Sequence, residues 1–135
     1  MKRFAFTMIE LIFVIVVIGI LAAVAIPRFA ATRDDAQIAK GRSDVAAVRA
    51  GIIAERQSRL LTGSTAYITN LEDSGEDLFS NIMQYGIVSK DANGHWHKSN
   101  SKYVYKVMNT AVDFDYNSTT GRFTCSGTYC SDLTQ

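Results

Sequence analysis

The sequence predicts an α+β fold in which a long N-terminal α-helix packs on a small antiparallel β-sheet. Three observations predict it: a near-uninterrupted apolar run over 4–29, an amphipathic pattern continuing to about residue 61, and alternating β-rich segments confined to the last third. At 135 residues, with part of the chain given to the apolar run, there is room for one small packed domain. A net charge of +1 argues against a nucleic-acid binder working through a strongly basic surface, and no direct nucleic-acid binding is expected. Base is nonetheless concentrated in the first half, where Arg28, Arg33, Lys40, Arg42, Arg49, Arg56 and Arg59 outnumber Asp34, Asp35, Asp44 and Glu55.

Lys2 and Arg3 precede the apolar run, whose only ionisable residue before Arg28 is Glu10. A stretch of about 20 such residues is long enough to cross a bilayer. The leading cations favour a cytoplasmic N-terminus, an argument weakened by Arg28 and Arg33 on the far side. One reading is a secretory signal peptide cut after Ala25 at Ala23-Val24-Ala25, which would release a soluble binding domain. Another is an uncleaved membrane anchor. Both leave Glu10 as an unexplained cost, because a carboxylate gains nothing in an apolar span.

In a third reading Glu10 has a function. Lys2-Arg3-Phe4-Ala5, then Phe6-Thr7-Met8-Ile9-Glu10-Leu11, then the apolar tract with Gly19 and Pro27, resemble the type IV prepilin family, which includes adhesive pili, type II secretion pseudopili and competence pseudopili. The resemblance covers about the first 30 residues. It implies a leader of residues 1–5, cleavage by a prepilin peptidase between Ala5 and Phe6, N-methylation of Phe6, and a structural, non-enzymatic role in a homo-oligomeric filament built at an inner-membrane platform. Ala5 departs from the family's usual glycine and puts processing efficiency in question. Physically, an unpaired carboxylate among apolar groups costs several kcal/mol and seeks a cation. Cleavage before Phe6 creates one, so the new amine of one subunit is expected to pair with Glu10 of a neighbour.

The membrane and filament-core helix is expected over 6–27 and an amphipathic continuation over 28–61, with Ile38, Val45, Val48, Ile52 and Leu60 forming the stripe. Pro27 should kink or loosen the join, with Gly41 and Gly51 as weaker points. Thr62-Gly63-Ser64 ends the helix and opens a globular head over 62–135. Its first part, to Asp77, reads as a polar loop, and a short helix is expected over 78–85, ended by Gly86. After Asn93-Gly94, β-segments are expected at 95–98, 102–108, 111–116 and 122–125, in an order the periodicity leaves open. Tyr103, Tyr105 and Val107 alternate with Val104, Lys106 and Met108, so one face should pack on the helix.

Cys125 and Cys130 lie close together in a Gly- and Ser-containing stretch, the arrangement expected of a local disulfide in an oxidising compartment. The alternatives are free thiols, or a zinc site completed by His95 and His97, for which the spacing gives no support. The family resemblance implies a disulfide-bounded loop there. Because this loop is short and the head small, a pseudopilin of a type II secretion or DNA-uptake system is favoured over a long adhesive pilus. Asp113, Asp115 and Asp132 are weak candidates for a calcium ion, against a solvated strand face, and no cofactor is otherwise expected. Asn117-Ser118-Thr119 fits a glycosylation acceptor, against a plain hairpin turn. No nucleophile elbow, phosphate-cradling loop or metalloprotease helix is found.

Overall fold

The computed structural model describes residues 5–135, apart from the side chains of 27–31. Lys2, Arg3 and Phe4 of the expected leader therefore lie outside the described residues, as do the side chains of Pro27 and Arg28. Helix α1 spans Met8–Leu61, and the backbone is helical through Pro27. The chain divides into two compact units, Met1–Asp35 and Ala36–Gln135.

The first unit is helical from Met8 onward, and its segment Met8–Ile26 has a mean hydropathy of 3.1 with none of that segment buried. Phe13, Ile15, Ile18, Ile20 and Leu21 are all exposed, so the helix is apolar on every face. Such a helix has no place in water and needs lipid or other apolar helices around it. By length and composition it can cross a membrane.

The second unit is a helix laid on a sheet. Its helical residues, 36–61, bury Val45, Val48 and Ile52, with Ile38 partly buried, at the three-and-four spacing of one face. Leu60 departs from the expected stripe and is exposed, since eight residues beyond Ile52 lies about 80° further round a helix of about 3.6 residues per turn. Gly41 and Gly51 are sites of close approach: a Cβ at Gly41 would strike the Tyr105 ring and Leu133, and one at Gly51 the carbonyl of Ile82.

The sheet is a four-stranded antiparallel meander, β1 (Trp96–Ser99), β2 (Lys102–Val107), β3 (Thr110–Asn117) and β4 (Arg122–Ser126), in the order β1-β2-β3-β4. The register sets Trp96 opposite Tyr105, Tyr103 opposite Phe114, and Phe114 opposite Cys125. These alternating residues, with Val107, Val112 and Phe123, make the inner face. Trp96 sits among Tyr105, Phe114 and Phe79 at ring separations of 5.0, 5.1 and 5.7 Å. The outer face is polar except for the exposed Ala111 and for Val104, which is buried between its strand partners His97 and Asp113.

Polar bonds tie the layers together. Tyr105 donates its hydroxyl proton to the Gln37 carbonyl at 2.6 Å, the indole N–H of Trp96 donates to Asp44 at 3.0 Å, and Arg49 donates to the Phe123 carbonyl at 3.0 and 3.2 Å. The helix expected over 78–85 is replaced by a turn closed by an isolated bridge between Leu78 and Ile87. Phe79 explains the difference: its φ of 64° is left-handed, incompatible with a helix interior, and its ring is fully buried.

A short helix α2 (Cys130–Thr134), absent from the sequence expectation, places Leu133 in the core beside Gly41. Cys125 and Cys130 are disulfide-bonded with Cα atoms 5.7 Å apart, which closes β4 onto α2. The loop closed is short, with a separation of five residues, so loop entropy assigns the bond about 2 kcal/mol. Replacing both cysteines by serine should lower the unfolding free energy by about that amount and fray α2 first, read by hydrogen exchange at 130–134.

Candidate functional site

Two groups of residues carry the chemistry, and both begin with a carboxylate. At the start of α1 the side chain of Thr7 accepts the backbone N–H of Glu10 at 3.3 Å, and the Thr7 carbonyl accepts the N–H groups of Glu10 and Leu11 at 3.1 and 3.2 Å. Thr7 is therefore an N-cap, and Thr7-Met8-Ile9-Glu10 has the spacing of a capping box. The sequence reading passed over this signal, although a threonine three residues before a glutamate at the head of an apolar run announces it. Glu10 gains from the first-turn position, where the helix dipole favours a negative charge. Among the described residues no cation pairs with Glu10, and Phe6 and Glu10 are both exposed.

The second carboxylate, Glu72, lies in the segment read from sequence as a featureless polar loop. It is buried, together with its neighbours Ile68 and Leu71. One oxygen accepts the Phe79 N–H at 3.3 Å, both accept the Tyr103 hydroxyl at 3.0 and 2.8 Å, and Lys98 forms an ion pair with it. Glu72 thereby holds the left-handed turn at Phe79 against the sheet. Nothing in the local sequence marks it, because its partners lie between 7 and 31 residues away.

Burial and the Glu72 carboxylate raise the pKa of Tyr103, and burial with the nearby Asp44 charge pushes Tyr105 up to about 12. Below pH 10, the ordinary tyrosine value, both phenols are neutral whether the chain is folded or not, and stability is fully present. Above it the unfolded chain gives up protons that the folded chain retains, so stability falls as pH rises beyond about 10. Urea midpoints at pH 8, 10 and 11 should decline for the parent, and decline less for Tyr103→Phe.

The remaining candidates are placed as follows. Asp113 and Asp115 lie on the outer face of β3, each sharing the Lys102 ammonium, at 3.7 and 3.6 Å. Asp132 lies on α2, where its backbone carbonyl accepts a bond from Arg42 at 3.0 Å. No group of three or more His, Cys, Asp or Glu side chains is arranged to hold a metal ion among the described residues. Asn117 ends β3 with its side-chain oxygen accepting the N–H groups of Thr119 and Thr120 at 2.9 and 3.1 Å, an Asx-type turn that is exposed. His97 Nδ1 lies 3.8 Å from Asp91, which holds Lys106 at 2.9 Å, and the cysteines are spent on their disulfide. Chiefly through Lys106, the Asp91 carboxyl is held below its ordinary pKa.

No protein-family model matches the chain, and no solved structure matches it. A similar protein is the type IV narrow pilus major component PilA5 of Thermus thermophilus, 51% identical over 49 residues. That stretch is 36% of this chain and 42% of the relative, so the chain spans less than half the length of the protein it matches. An apolar helix of membrane-crossing length and a helix packed on a small antiparallel sheet accompany that local similarity to a type IV pilus component.

Proposed function

We propose that the chain is a structural subunit of a type IV pilus-like filament. The observation that carries this is Glu10: a carboxylate in the first turn of a helix apolar on every face, with no cation partner in its own chain among the described residues. In the proposed sequence of events a prepilin peptidase cuts between Ala5 and Phe6 and methylates Phe6. The subunit waits in the inner membrane on one helical span, its head over 62–135 in the periplasm. An assembly platform then moves it into the filament, where helices over 6–27 pack and the Phe6 amine of one subunit neutralises Glu10 of another. Removing both charges from water together is what makes the pairing selective for register, since a shifted helix leaves each one alone in apolar surroundings.

Intact mass of the membrane-extracted chain tests the processing: a methylated N-terminal Phe6 is expected, and a chain beginning at Ile26 would sink the proposal in favour of a secreted domain. Glu10→Gln is expected to lower filament yield while leaving the membrane pool intact. A second reading, that the filament is a secretion or DNA-uptake pseudopilus, is favoured by the small head and the short disulfide loop. The similar pilus component favours a pilus proper. Surface filaments recovered by shearing support the latter, and loss of secretion or uptake without surface filaments supports the former.

A further inference from the structure

Within the unit Ala36–Gln135 most charged side chains are already engaged. Ion pairs take up Lys40, Arg59, Lys98, Lys102 and Lys106. Arg42 and Arg49 donate to backbone carbonyls, and Arg56 lies over the Tyr67 ring at 3.8 Å. Lys90 and Arg122 are exposed and have no partner of this kind, and of the two Arg122 borders a groove of about 350 Å³ lined by Arg49, Ile53, Gly121, Phe123 and Thr124. Ile53 in that groove is 57% exposed, an apolar side chain left open to solvent beside two guanidinium groups.

The opposite character is found on the loop after Glu72. Glu76 and Asp77 are exposed and likewise have no ion-pair partner. The Leu78–Ile87 bridge and the packing of Gly86 on Asp77 bring Tyr85 and Val88 beside them. Tyr85 is 79% exposed and Val88 67%, so a projecting phenol and an aliphatic side chain neighbour two free carboxylates.

The two patches flank the helix on different sides. Arg49 reaches the Phe123 carbonyl of β4, whereas Gly51 receives the Ile82 carbonyl of the acidic loop. Two residues along a helix of about 3.6 residues per turn turn its surface by about 200°, which sets groove and loop on opposite flanks. The helix face between them carries Ala46, Ala47, Ala50 and Ala54, exposed and uncharged. Two different, complementary patches on opposite flanks give a heterologous contact, which repeats from copy to copy, whereas groove against groove would set arginines against arginines.

We propose that Tyr85 of one copy, with the carboxylates of Glu76 and Asp77, docks into the groove between Ile53 and Arg122 of a second copy, as a repeating contact between heads. This rests on the filament reading above and specifies which surfaces meet. The phenol ring covers Ile53 and Phe123, and the carboxylates approach Arg122 as water leaves the groove.

The test uses filaments of the full chain, with Arg122→Glu, Asp77→Arg and the two combined. Each single reversal should reduce filament yield about ten-fold or more, and the combination should restore most of it. A protease-resistant membrane pool with the Cys125–Cys130 disulfide intact checks that the variants fold. A photo-crosslinking amino acid at Tyr85 should capture a peptide of the neighbouring copy containing residues 49–53 or 121–124. Parent filaments with undiminished single reversals, or crosslinks confined to other segments, would overturn this contact and leave the filament reading standing. A parent chain that forms no filament removes both.

Discussion

Replacing Trp96 by alanine is expected to lower the unfolding free energy of the helix-and-sheet unit by about 3–5 kcal/mol. The side chain is fully buried among Phe79, Tyr105 and Phe114, and the rings around it are held by strands and by the Phe79 turn, so they can close only part of the cavity. Its indole N–H also leaves, and Asp44 loses the donor it had at 3.0 Å while keeping Lys40 at 3.8 Å. Domains of this size have only about 5–15 kcal/mol in total, so the loss is a large share of what holds the unit folded. Pulse proteolysis in urea, on the full chain in detergent, reads the effect without relying on fluorescence from the lone tryptophan that the variant removes. Trp96→Phe keeps part of the packing but loses the hydrogen bond and the volume of the second ring, so an intermediate deficit of about 2–3 kcal/mol is expected.

Glu72→Ala should cost a similar amount, about 3–5 kcal/mol, for a different reason. The substitution removes little apolar surface. It leaves the Phe79 N–H and the Tyr103 hydroxyl buried without an acceptor, each worth about 1–3 kcal/mol, and it withdraws the bond that holds Phe79 in its left-handed conformation. Lys98 contributes least, since its side chain is 43% exposed and regains water when the carboxylate goes. Lys98→Met is a different case, because it leaves the Glu72 carboxylate, 6% exposed, with only the Tyr103 hydroxyl and the Phe79 N–H, and it should cost about 1–3 kcal/mol. The same urea series checks all four variants, and a Glu72→Ala variant as stable as the parent would show that the network is decoration on a turn held by packing alone.

Legibility in the sequence followed the range of the interactions. The strands were found within one or two residues of their observed ends, because the alternation of Tyr103, Tyr105 and Val107 and the turn residues between segments are local patterns. The stripe of Val45, Val48 and Ile52 was legible for the same reason. The turn at 78–87 was misread as helix because its local composition permits one, and the partner that selects the turn, Glu72, stands outside it. Helix α2 was missed because five residues carry too little periodicity to be seen, and Leu133 acquires meaning only against Gly41 and Tyr105.

By itself the sequence determined the apolar segment with its single carboxylate and the helix-then-sheet order, and it favoured a cysteine pairing over free thiols or zinc. All of these rest on composition and spacing that one stretch of chain carries alone. Only the tertiary structure decided the meander order of the strands, the burial of Glu72, the close approaches at Gly41 and Gly51, and the placing of Arg122 and Tyr85 on opposite flanks of the helix. Each depends on residues far apart in the chain meeting at fixed distances, and periodicity within a segment holds no record of what lies across from it.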